Sequence, residues 1–129
     1  MAKRIREKTA KINENREKRP HACAKYVRIA PSKAMVIADI VRGKSYDEAV
    51  GILNALPNRS AGLILKVVES AGANAENNMG LNKDELVVAE AYANQAPSFK
   101  RVSFRGRGGV DTIIKRNCHI TIVLDSVKK

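Results

Sequence analysis

The sequence predicts an α+β fold: three helices packed on a small antiparallel sheet, with a long extended β-hairpin and a basic N-terminal arm. Three observations lead there. Apolar residues recur at helical spacing between residues 31 and 78, then give way to strand-like runs after Gly80. Two such strands flank a stretch rich in Arg and Gly, the pattern of a hairpin with a special tip. Charge is also segregated: residues 1–28 hold ten basic and three acidic side chains, residues 29–96 six and eight, and residues 97–116 six and one. A near-neutral body thus carries two basic appendages.

Taken in order, residues 1–22 offer a helix face only Ile5 and Ile12, cannot bury enough surface to fold alone, and are expected to be disordered when free. Pro20 ends this arm, leaving residues 23–129 as a single domain that includes the hairpin 86–126. Residues 24–30 (AKYVRIA) suggest a short strand. Pro31-Ser32 opens a first helix with Ser32 as N-cap, Val36, Ile37, Ile40 and Val41 at helical spacing, and Gly43 as its stop. Ser45 and Glu48 form a capping-box pair before a second helix, whose stripe is Ala49, Ile52, Leu53 and Leu56 and which Pro57 ends. Asn58 or Ser60 caps a third, reaching about Asn78, with Ile64, Val67, Val68, Ala71 and Ala75 on one face. Gly72 inside it implies close packing, since glycine there costs ~1 kcal/mol relative to Ala.

Residues 86–93 and 118–124 are the two strands. Cys118, Ile120, Ile122 and Leu124 share one face of the second, and His119, Thr121 and Val123 the other. If they pair antiparallel, Leu86 opposes about Ser126 and the turn falls near Gly106. Twenty residues at ~3.4 Å each make an arm of ~65 Å, against a radius of gyration near ~12 Å for the body. An isolated two-stranded ribbon is marginal in water, so something outside the protein must support it. Alternation puts Arg101, Ser103, Arg105 and Arg107 on one face, and Lys100, Val102 and Phe104 on the other. Lys115 and Arg116 return on the second strand. A row of planar guanidinium groups suits phosphate oxygens, and Gly106, Gly108 and Gly109 permit positive φ and close approach to a ligand.

The composition also excludes. With no Trp and 4% aromatic residues the core must be aliphatic. No apolar run approaches the ~18–20 residues of a membrane span, the N-terminus has no secretory core, and the arm lacks the bulky apolar face of a membrane-surface helix. A cytoplasmic protein is expected, with no membrane partner. Cys23 and Cys118 are expected to be reduced thiols. A zinc site drawn from His21, Cys23, Cys118 and His119 is disfavoured because adjacent strand residues point apart, so no metal or other cofactor is expected. No nucleophile–base triad or phosphate-binding loop is present, and no enzymatic activity is expected. A polyanion, nucleic acid before membrane, is the partner that the charge segregation favours. Lys18, Arg19, Lys25 and Arg28 of the N-terminal basic segment join the hairpin cations as candidate contacts.

The strings APSKAMVIADIVRGKSYDEAVGIL, LKVVESAGANAENN, APSFKR and KRNCHITIVL, in that order and spacing, resemble the family of universal large-ribosomal-subunit protein number twenty-two in its bacterial form. The resemblance covers residues 24–126. It implies a structural constituent of the large subunit that binds and helps to fold large-subunit rRNA, contacts neighbouring ribosomal proteins, and lines the nascent-peptide exit tunnel with its hairpin tip. By position, Lys100, Arg101, Arg105, Arg107, Lys115 and Arg116 would touch rRNA along the hairpin, and Lys33, Arg42 and Lys44 would do so from the body. Phe99, Lys100, Arg101, Val102, Ser103 and Phe104 would face the tunnel and the passing polypeptide. No homo-oligomer is implied. The tip departs from the family pattern: Gly109 stands where an Arg is usual, and Thr112 at a further basic position. The alternatives are a free-standing nucleic-acid chaperone or nucleoid-type protein, and, from another class, a small enzyme acting on RNA.

Overall fold

A computed structural model describes residues 2–14 and 18–126. Its elements run α1 (Ala2–Glu14), β1 (His21–Val27), α2 (Pro31–Val41), α3 (Tyr46–Ala55), α4 (Arg59–Met79), β2 (Leu86–Phe104) and β3 (Val110–Ser126). Short 3-10 turns precede β2 (Lys83–Glu85) and join β2 to β3 (Gly106–Gly108). The expected α+β architecture is present: α2, α3 and α4 pack on an antiparallel sheet of order β1-β3-β2.

Local sequence explains the helix ends. Ser45 Oγ accepts the Glu48 N–H at 3.3 Å, as the capping pair requires. Gly43 stops α2 at φ +79, and Gly80 ends α4 at φ +64 with the Leu81 N–H reaching back to the Ala75 carbonyl. Gly43 N–H also donates to Val88 O, and Val88 N–H to Lys44 O, which clips the α2–α3 turn to the sheet.

The core is aliphatic. Leu53, Ile64 and Val68 from the helices meet Leu86, Val88, Ile120, Ile122 and Leu124 from the sheet, all buried. Cys118 lies on this inner face, and burial pushes its thiol pKa up. Gly72 is explained by Tyr46: a Cβ at position 72 would stand 2.6 Å from the Tyr46 ring, so α3 packs its aromatic directly on the α4 backbone.

Several expectations are corrected. Ala2–Glu14 is helical, where the arm was expected to lack structure; its run of Ala, Lys, Arg and Glu favours helix even without a core to pack on. Its described side chains, from Lys3 onward, are all exposed. The first strand is His21–Val27 rather than 24–30, because the Pro20 carbonyl takes the Leu124 N–H and β1 follows at once. The N-cap of α2 is Ala30, not Ser32, since Pro31 occupies the first helical position without needing a donor. Val36 and Ile40 of the supposed core stripe are exposed; Ala34, Ile37, Ala38 and Val41 form the buried face.

Candidate nucleic-acid interface

β2 and β3 pair from Leu86↔Ser126 to Phe104↔Val110, the register that the sequence pattern suggests. The ladder is broken between Ala96 and Phe99. There Asn117, 1% exposed, donates from Nδ2 to the Pro97 carbonyl at 2.8 Å. That bond marks the root of the ribbon: β3 residues before Asn117 are all exposed, and those after it enter the core.

Pairing defines the two faces of the ribbon. Phe99, Arg101, Ser103, Asp111, Ile113 and Lys115 share one, because directly opposed residues point the same way. Lys100, Val102, Phe104, Val110, Thr112 and Ile114 share the other, which is mainly apolar. Phe104 is 84% exposed. Phe99 therefore sits with the arginine face rather than opposite it, and Arg28 lies over its ring at 5.4 Å.

The expected row of alternating arginines is interrupted. β2 ends at Phe104, and Arg107 occupies the turn in the left-handed region, φ +57, with Gly108 at +74. Gly106 and Gly109, also expected to supply positive φ, do not. Arg105 Nε donates to Asp111 Oδ2, and the Arg105 N–H to the Gly109 carbonyl.

The remaining candidates divide by what holds them. Arg19 pairs with Glu90 at 2.6 Å, Lys44 with Glu48 at 3.0 Å, and Arg42 bridges Asp39 and the Ala91 carbonyl. These cations tie the body together. Lys33, Lys100, Arg107, Lys115 and Arg116 are exposed and have no carboxylate partner among the described residues; Lys18 and Lys25 are exposed too.

At the ribbon's root, a cleft of about 940 Å³ opens between the first turns of α2 and α4 and the ribbon itself. Arg28, Lys33, Arg59, Arg101, Lys115 and Arg116 line it, with no acid among its lining residues. Sequence reasoning missed Arg59, which looked like an ordinary helix start. It also passed over Val110, Ile113 and Ile114, whose exposure (46–55%) was signalled only by apolar residues inside a basic stretch. Among the described residues there is no cluster of three or more metal-ligating side chains, and no helix is long and apolar enough to cross a membrane.

Fold and site define a class: small basic α+β proteins that project a two-stranded arm. A profile of the family described as ribosomal protein L22p/L17e matches residues 22–125. The large ribosomal subunit protein uL22 of Desulforamulus reducens is 44% identical over 108 residues, 84% of this chain and 96% of that protein. Its counterpart in Acetivibrio thermocellus is 48% identical over 103 residues, 80% and 82% of the two chains. That of Thermoanaerobacter sp. is 50% identical over 103 residues, 80% and 93%. The chain belongs to the ribosomal protein L22p/L17e family, a family of structural proteins and not of enzymes.

Proposed function

We propose that the protein is a structural constituent of the large ribosomal subunit in the cytoplasm, that it binds and helps to fold large-subunit rRNA, and that its ribbon tip lines the nascent-peptide exit tunnel. The carrying observation is the ribbon: paired along its length, yet with exposed cations and exposed apolar side chains and no second layer beneath its outer part. RNA phosphates supply the missing partner for Lys100, Arg101, Arg107, Lys115 and Arg116. On the body, Lys18, Lys25, Arg28 and Lys33 add to the same surface. Arg19, Arg42, Lys44 and Arg105 reach RNA only by leaving or sharing an internal carboxylate. Phe99 to Phe104 form the stretch assigned to the tunnel, with Val102 and Phe104 on the face left for a peptide. Residues 1–22 act as a separate RNA-binding arm beside the domain 23–129, with ribosomal proteins as neighbours and no second copy of the chain.

Two measurements test this. Tagged protein should sediment with the large subunit at one copy, resistant to moderate salt; sub-stoichiometric, salt-labile association would favour the free-standing chaperone. In ribosomes stalled on a long nascent chain, a photo-crosslinker at Val102 or Phe104 should capture the peptide, and one at Thr121 should not. RNA adducts alone from every tip position would remove the tunnel role and leave the assembly role.

A further inference from the structure

We infer that the cleft at the ribbon's root receives an unpaired nucleotide of the bound RNA, its base against the apolar floor and its phosphates on the cationic rim. This rests on the rRNA-binding reading above and adds what kind of RNA the root selects.

The cleft combines two surfaces that a solvated charge patch would not. Its floor is apolar: Ile29, Val36, Ile37 and Phe99, of which Val36 and Phe99 are 60% and 47% exposed. Its rim carries the six cations already named, with no acid between them. Apolar floor and cationic rim are what a nucleotide presents in reverse, a planar base attached to an anion. The Phe99 ring and the Arg28 guanidinium 5.4 Å over it bring together an aromatic and a planar cation, the two kinds of surface on which unstacked bases lie. Asn58, at the α4 N-terminus, makes no side-chain capping bond, so its amide is available to a base edge. At about 940 Å³ the space is within the ~300–1,000 Å³ typical of small-ligand sites. A base still paired and stacked in a helix presents only edges and backbone, and its face cannot reach Phe99. A docking protein segment fits less well, because the cores of protein interfaces are depleted of charge and this floor is ringed by it.

The test places benzoylphenylalanine at position 36 in place of Val36, an exposed wall residue, in the full chain assembled into large subunits. A second probe at Arg107 reports on the tip. The expected result is an adduct from position 36 to one short RNA region whose bases are unpaired in the subunit. A protein adduct, or adducts confined to paired RNA, overturns the inference. If position 36 captures no RNA while Arg107 does, the cleft inference fails and the RNA-binding reading stands; if neither does, that reading fails as well. Independently, the free protein should quench a single-stranded heptamer carrying 2-aminopurine, and Phe99→Ala should weaken that binding about tenfold. The affinity for a fully paired duplex of the same length should barely change. Equal loss for both probes would mean that Phe99 does not hold a base.

Discussion

Strand β3 passes through two environments while staying paired with β2 on both sides of the irregularity between Ala96 and Phe99. From Asn117 to Leu124 its side chains are buried or half-buried; from Val110 to Arg116 every one is exposed. Both halves are rich in β-branched residues, and both are paired, so neither propensity nor backbone hydrogen bonding separates them. What separates them is a second layer. Ile120 and Ile122 have α4 and α2 above them, whereas Ile113 and Ile114 have only the opposite strand. The ladder sets the shape of the ribbon; burial contributes the stability, and the ribbon must obtain it from a partner.

The most direct way to break that comparison is to truncate matched isoleucines. Ile122→Ala should cost ~2–5 kcal/mol through lost burial and a cavity. Ile113→Ala should stay within about 0.5 kcal/mol in the free protein. Urea melts of the two variants decide it, and a comparable loss at Ile113 would mean that the ribbon is packed on something in the isolated chain.

Next in size is Gly72→Ala, where the new methyl would meet the Tyr46 ring at 2.6 Å. Overpacking of this kind costs ~1–3 kcal/mol. Tyr46→Leu combined with it should recover part of the loss, which a double-mutant cycle reads as coupling. Burial also raises the Tyr46 phenol above its ordinary 10.0 and the Cys118 thiol above 9.0. The unfolded chain therefore ionises first at both groups, and their contribution to stability is present below pH ~9 and declines as pH rises beyond it.

Asn117→Ala sharpens the boundary itself. Losing the bond to the Pro97 carbonyl should cost ~0.5–1.5 kcal/mol, since the exposed Pro97 can turn its carbonyl to water. The same change should loosen the ribbon's angle to the body, seen as a broadened distance distribution between spin labels at Ser103 and Glu76.

Much of this layout was legible in the residues. Period-two spacing at Cys118, Ile120, Ile122 and Leu124 identified the inner face, and the register of Leu86 with Ser126 followed from the strand lengths. The helix stop at Gly43 and the Ser45 cap are local chemistry and were equally visible. What was hidden depends on distant neighbours. Val36 and Ile40 fit a helical stripe, but only the placement of α2 on the sheet decides which apolar residues it covers. Arg19, Arg42 and Lys44 look like any other cations until Glu90, Asp39 and Glu48 are seen beside them. The cleft joins Arg59 to Lys115 across more than fifty residues, a proximity that no spacing rule contains.

The smallest expected effect concerns the ribbon's only acid. Asp111 holds Arg105 across the base of the tip, with both side chains more than half exposed (53% and 71%). Exposed pairs of this kind contribute ~0–1 kcal/mol, so Asp111→Asn should leave the melting temperature within a degree or two. Its effect on RNA should run the other way from that of a body mutation. Asn at 111 frees the Arg105 guanidinium and removes one negative charge from a surface that otherwise carries only cations. The slope of log affinity against log salt should steepen by up to ~1 unit, with binding unchanged or slightly tighter at low salt. Lys44→Ala, which breaks a pair in the body, should leave the slope almost where it was. If Asp111→Asn flattens the slope instead, the ion pair is orienting Arg105 toward RNA rather than withholding it, and the division between paired body cations and unpaired ribbon cations has to be redrawn at the tip.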